Sequence, residues 1–232
     1  MPTLSIRDLR FSWPSQPTLL SIEHVDVSAG EVVMIHGPSG SGKTTLLSLM
    51  AGVITPQAGQ IQVLGNELTS LSAAARDRFR GEHIGFVFQQ FNLLPYLSVL
   101  QNVVLPAQLF SRRAERATQR SLSTIEEARR LLSELGLESG VWRQRAHTLS
   151  VGQQQRVAVA RALMGSPELI IADEPTSALD EDRQCDFMRI LMRQVKATNA
   201  ACVMVSHQRS LGQGVDRMVE MASINPRIRE VA

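Results

Sequence analysis

The chain has 232 residues, 44% of them hydrophobic and 20% charged, and a formal charge of +2. This length and mix predict one large globular α/β unit that buries its own core without a metal or disulfide staple. So small a charge gives no general footprint for nucleic acid or a membrane surface.

The first residues lack the apolar segment of a secretory signal, and no run approaches the roughly 20 apolar residues that span a bilayer. Work at a membrane therefore requires another polypeptide. Cys185 and Cys202 lie far apart without a His or Cys at metal-ligand spacing, and read as reduced structural thiols of a cytosolic protein.

In chain order, residues 4–13 and 22–27 alternate in polarity and predict antiparallel strands on one flank. Residues 32–35, 84–88, 169–172 and 201–205 are continuous apolar runs, as expected of parallel strands covered on both faces. Residues 98–163 carry helix signals only, with Ile125, Ala128, Leu132 and Leu135 at helical spacing before Gly136. The arginines at 112, 113, 116 and 120 read there as a solvated helix face. The whole, residues 1–232, is expected to be one domain. Its α/β core comprises 1–97 and 164–232, with a helical subdomain inserted over 98–163.

Between the strand at 32–35 and a helix-like run from Leu46 lies Gly37-Pro38-Ser39-Gly40-Ser41-Gly42-Lys43-Thr44, followed by Thr45. It fits the phosphate loop G-x-x-x-x-G-K-[ST] at every position and in the required strand–loop–helix context. Glycines let backbone N–H groups converge on phosphates, and the helix N-terminus adds partial positive charge. Lys43 reaches the terminal phosphates, and the Thr44 hydroxyl can hold Mg²⁺. Only two lysines, Lys43 and Lys196, stand among 22 arginines, so a lysine here is a choice. Nucleotide, expected to be ATP, binds at this loop.

The run 169–172 ends in Asp173 and Glu174. A buried strand delivering carboxylates at its C-terminal end sets them beside the phosphate loop. Asp173 then suits Mg²⁺, and Glu174 the orientation or deprotonation of an attacking water. Further back, Leu149-Ser150-Val151-Gly152-Gln153 opens a helix, with Ser150 and Gln153 spaced as a capping box. That N-terminus is also suited to a γ-phosphate held by another subunit.

With these motifs in this order, the whole chain resembles the nucleotide-binding subunits of ABC transporters. Residues 149–153 resemble the family's LSGGQ signature, Ser177-Ala178-Leu179-Asp180 its D-loop, and His207 its switch histidine. Gln89 resembles the Q-loop glutamine, which links the metal site to a transmembrane partner. Trp13 sits where the family stacks an aromatic ring on adenine. The resemblance implies a P-loop NTPase (RecA-like) core, ATP hydrolysis with Mg²⁺, and catalytic roles for Glu174, His207 and Gln89. It further implies nucleotide contacts from Trp13, the phosphate loop through Thr45, Ser150, Gly152, Gln153 and Asp180, and metal ligation by Thr44, Gln89 and Asp173.

One phosphate loop and one signature per chain imply two copies head to tail around ATP, beside an integral membrane permease at the cytoplasmic face of the inner membrane. Residues 88–95 and 101–106 resemble the branch serving lipoprotein release, macrolide or peptide export, and cell division. Nucleic acid is not expected as a partner. The alternatives are a soluble ABC ATPase working on DNA or ribosomes, and a small-molecule P-loop kinase. In the signature, Val151 replaces the family's glycine, and its bulk predicts slower hydrolysis.

Overall fold

The computed structural model describes residues 1–177, 179 and 181–226. Two sheets organise it. The first is antiparallel and contains β1 (Leu4–Ser12), β2 (Thr18–Val27), β4 (Ala58–Val63) and β5 (Asn66–Glu67), in the order β2-β1-β4-β5. Leu4 pairs with Val27 on one side and Val63 on the other. The alternation at 4–13 and 22–27 therefore marks strands of a flank sheet, as expected. Their partners at 58–67 are too short and polar to stand out in the sequence.

The second sheet is parallel, in the order β6-β7-β8-β3-β9, with β3 (Val32–His36), β6 (Ile84–Val87), β7 (Leu169–Asp173), β8 (Ala201–Ser206) and β9 (Arg217–Glu220). Its alternating residues feed two separate cores. Val33, Ile35, Leu169, Ile171, Val203 and Val205 pack on one face with α1 (Lys43–Met50) and the antiparallel sheet. Val32, Met34, Ile170, Ala172, Cys202 and Met204 pack on the other, against helical residues from 99 to 195. Burial on both faces is why these strands are apolar without alternation.

α2 (Ala73–His83) precedes β6, and four helices then follow without a strand: α3 (Val99–Leu109), α4 (Ser111–Arg120), α5 (Thr124–Glu134) and α6 (Val151–Leu163). α7 (Glu181–Ala197) joins β7 to β8, and α8 (Met221–Ile224) follows β9. Among the described residues no helix is long and apolar enough to cross a membrane.

The spacing of Ile125, Ala128, Leu132 and Leu135 marks α5, and Gly136 at φ +72 follows its end, as expected. Ile125 is exposed, and Leu131 joins the other three in the core. One expectation fails within these helices. The arginines of α4 do not form a solvated face. Arg112 and Arg120 are exposed, but Arg113 is 2% exposed and Arg116 is half-buried. Arg116 forms an ion pair with Glu168, whose carboxylate also meets His83 Nδ1 at 3.1 Å. α4 thus turns its basic side into the root of the parallel sheet.

Candidate nucleotide site

β3 ends at His36, and the loop after it returns as α1, whose N-cap is Gly42 with φ +90 and no capping side chain. Glycine is required there twice over. The backbone is left-handed, and a Cβ would lie 2.8 Å from Leu20. With no side-chain cap, the first amides of α1 stay free for an anion. Gly40, at φ +79, faces open space, so the loop backbone stands clear for a ligand. The Ser41 hydroxyl is buried with no hydrogen-bond partner among the described residues. Lys43 Nζ donates to the carbonyls of Gly37 and Pro38, both at 2.8 Å, folding onto its own loop. Clear glycine backbone, an unanswered hydroxyl and an ammonium bonded to two loop carbonyls fit a polyphosphate.

β7 is fully buried and carries Asp173 at its end, where the Thr44 hydroxyl donates to Asp173 Oδ1 at 3.2 Å. Burial pushes the Asp173 carboxyl upward, and the neighbouring Glu174 adds to this. A cation beside Asp173 would reverse that pressure. Hydroxyl and carboxylate oxygens are the donors Mg²⁺ takes, so Thr44 and Asp173 fit it.

Glu174 has φ +44, a conformation that costs a non-glycine residue about 1 kcal/mol or more. It is held there by its own N–H donating to Val205 O and its carbonyl accepting from Ser177 N. The turn aims the carboxylate between two side chains from neighbouring strand ends. Gln89, just beyond β6, donates from Nε2 to Oε2 at 3.3 Å, and His207, just beyond β8, meets Oε1 through Nδ1 at 3.3 Å.

Ser39, Gly40, Gly42, Lys43, Thr44, Thr45, Gln89, Glu174 and His207 line one cavity of about 500 Å³, with Leu19. The structure therefore brings the phosphate loop, both acids, Gln89 and His207 together. Trp13 is not in that lining; its exposed ring meets Phe11 edge-on at 5.0 Å.

Ser150, Gly152 and Gln153 lie elsewhere, lining a different cavity of about 310 Å³ with Leu179 and Phe187. The expected capping box is formed: Ser150 Oγ accepts from Gln153 N, and Gln153 Oε1 accepts from Ser150 N. Val151 occupies the first helical position with its side chain half exposed, so it strains nothing in its own chain. Asp180 and Ala178 of the D-loop segment lie outside the described residues.

Two side chains given no role in the sequence analysis hold the Gln89 loop. Arg161 in α6 donates to the carbonyls of Phe91 and Asn92 at 2.7 and 2.6 Å, where both residues have positive φ. Asn102, fully buried in α3, accepts from Leu94 N at 2.8 Å and donates to Leu94 O and Ser98 O. A charge inside the apolar run 157–163 and an amide inside 99–107 were the signals for both.

The sequence profile described as ABC transporter matches residues 20–177. Over 224 residues the chain is 38% identical to the lipoprotein-releasing system ATP-binding protein LolD of Nitrobacter hamburgensis, covering 95% of this chain and 93% of that protein. It is 37% identical over 223 residues to the macrolide export ATP-binding/permease protein MacB of Rhodopseudomonas palustris. That match takes in 95% of this chain but only 33% of the longer protein. Among solved structures, the dimeric post-hydrolysis state of the ATP-binding cassette MJ0796 bound to ADP and Pi aligns with a TM-score of 0.81 at 31% identity. The alignment covers 94% of this chain and 93% of that one.

Proposed function

The chain belongs to the ABC transporter family as an ATP-binding, ATP-hydrolysing subunit, and from that premise we propose how its residues share the work between two copies. The observation that carries the proposal is the separation of the two cavities. Within one chain, the phosphate loop with its acids and the signature with its helix N-terminus line different spaces. Each is half of a site, and a head-to-tail pair related by a two-fold axis completes both at once.

In the assembled site, Lys43 exchanges the carbonyls of Gly37 and Pro38 for the terminal phosphates of ATP. The Ser41 hydroxyl and the open amides around Gly40 and Gly42 meet the remaining phosphate oxygens. Thr44 and Asp173, with Gln89, would hold Mg²⁺, which supplies charge neutralisation for the phosphates. Glu174 orients the attacking water and accepts its proton, while Gln89 and His207 keep the carboxylate aimed. From the second copy, the amide of Gly152 and the Ser150 hydroxyl meet the γ-phosphate at a helix N-terminus. Trp13 covers the adenine. Binding thereby closes the pair, and hydrolysis removes the group that both copies hold.

The permease is a separate membrane protein, and the subunit sits on its cytoplasmic face at the inner membrane. We place the contact on the apolar groove between the Gln89 loop and α3, where Phe88 and Leu109 are exposed beside Leu105 and Pro106. Residues 98–163 then form the permease-facing helical subdomain of a single domain. The cargo class is that of the lipoprotein-release and macrolide-export relatives.

Cross-copy complementation tests the two-copy site. Lys43→Met and Ser150→Arg chains, each inactive alone, regain ATP hydrolysis when mixed, because half of the random pairs hold one intact composite site. No activity above the sum of the two separate chains would contradict the arrangement. Co-purification from native membranes with Glu174→Gln and ATP tests the partner. A membrane protein with few helices and a large extracytoplasmic domain is expected. Recovery of ribosomal or DNA-bound proteins alone would overturn the transport assignment.

A further inference from the structure

Four backbone carbonyls converge where α4 meets the core: Gly81 in α2, Ile84 at the start of β6, Ala162 in α6 and Met164 just beyond it. Buried carbonyls at element ends have to find donors. Arg113 answers all four. Its Nε donates to Gly81 O at 3.0 Å, Nη2 to Ile84 O at 2.7 Å, and Nη1 to Met164 O and Ala162 O at 2.7 and 3.3 Å.

No carboxylate pairs directly with Arg113 among the described residues, and burial lowers its guanidinium to about 10. Burying an unpaired cation is costly, so chain packing alone does not favour it. The backbone around it is also shaped for close approach. A Cβ on Gly81 would fall against the ring of Phe110, and one on Gly85 against the Ala162 carbonyl oxygen. One on Gly165, at φ +70, would lie 2.5 Å from the carbonyl oxygen of Arg113 itself.

The elements joined here carry functional groups at their far ends. From Ile84, β6 runs on to Gln89, which belongs to this copy's nucleotide cavity. From Ala162, α6 runs back to Ser150, which serves the nucleotide of the second copy. The helix is a lever of about 18 Å at 1.5 Å per residue, so a tilt of about 3° at the Arg113 end moves the Ser150 end by about 1 Å. A misplacement of that size can cost about 100-fold in rate.

We propose that Arg113 is a positioning residue for ATP turnover, locking the Gln89 strand and the signature helix into one unit so that each chain couples the two composite sites of the pair. The proposal rests on the two-copy reading above. Failure of that reading would abolish ATP-driven pairing of the unmodified chain. Failure of this one would leave pairing intact and turnover insensitive to Arg113.

The test is steady-state ATP hydrolysis by full-length Arg113→Met and Arg113→Lys chains, beside ATP binding by each chain carrying Glu174→Gln. Arg113→Met should lower kcat at least 10-fold and bring the Hill coefficient for ATP towards 1, with ATP affinity within 2-fold. Arg113→Lys, which keeps the charge but reaches fewer carbonyls, should recover part of both. A folded Arg113→Met chain with kcat and Hill coefficient unchanged would overturn the proposal, as would affinity falling in step with kcat. If the Met variant does not fold, hydrogen exchange of the unmodified protein decides. ATP should slow exchange together in residues 84–89, 111–120 and 150–163, and protection of 150–163 without 111–120 would overturn the coupling.

Discussion

Lys43 and Arg113 are both buried cations bonded to backbone carbonyls, yet the regions around them differ. Lys43 bonds two carbonyls of its own loop and borders a cavity of about 500 Å³. Arg113 bonds four carbonyls from three elements and borders a smaller cavity of about 250 Å³. A compact ammonium on a flexible stem can leave its carbonyls for phosphate oxygens, whereas a guanidinium fork would have to give up four bonds at once. One arrangement is a socket and the other a joint. The same donor–acceptor chemistry becomes exchangeable or fixed according to how many bonds hold the cation and how many elements they join.

The sharpest way to break this comparison is Lys43→Met. It should reduce ATP affinity at least 100-fold while shifting thermal stability by less than about 1 kcal/mol, because the loop carbonyls it frees can take water. Calorimetric titration with ATP and a melting curve would check both halves. Next comes the base end of the socket: Trp13→Ala should weaken ATP binding about 10-fold, the value of one stacked ring. Its effect on GTP should be similar, since stacking reads no base edges, and competition binding would show it.

At the joint, Glu168→Gln should do the reverse of Lys43→Met. Burial alone would raise the Glu168 carboxyl, but hydrogen bonds from His83 and Arg116 outweigh it and hold the group at about 2 against an ordinary 4.5. A depressed carboxylate stabilises the fold fully above its unfolded pKa, and that contribution is lost as pH falls from about 4.5 towards 2. The variant should lose on the order of 2 kcal/mol at pH 7 and show a flatter acid limb in denaturation, with ATP affinity unchanged. Equal acid sensitivity in both proteins would refute the ion-pair account. The smallest effect is Val151→Gly. Its side chain is half exposed at the first turn of α6, so removing it should raise turnover a few-fold without affecting nucleotide affinity. An unchanged rate would show that the valine is harmless.

The contrast between socket and joint also marks what the sequence discloses. The socket was legible because its parts are contiguous: eight residues name the loop, and an apolar strand ending in Asp173 and Glu174 names the acids. His207 and Gln89 carry no local signal of their own and were legible only through the order of the motifs. The joint was not legible. Arg113 sits between the exposed Arg112 and the half-buried Arg116 of the same helix, and its burial depends on Gly81, Gly85 and Gly165, which are distant from it in sequence. β4, β5 and β9 escaped for a related reason. Edge and flank strands take their hydrogen bonds from partners and need little apolar signature.

The most direct test of the central claim, that each nucleotide is held by the phosphate loop of one copy and the signature of another, is the mass of the full-length Glu174→Gln chain in solution with and without Mg-ATP. Multi-angle light scattering should give a monomer without nucleotide and a dimer with it, and the dimer should be absent when Ser150→Arg is added. A Glu174→Gln chain that binds ATP yet remains monomeric, alone and with its permease, would contradict the claim.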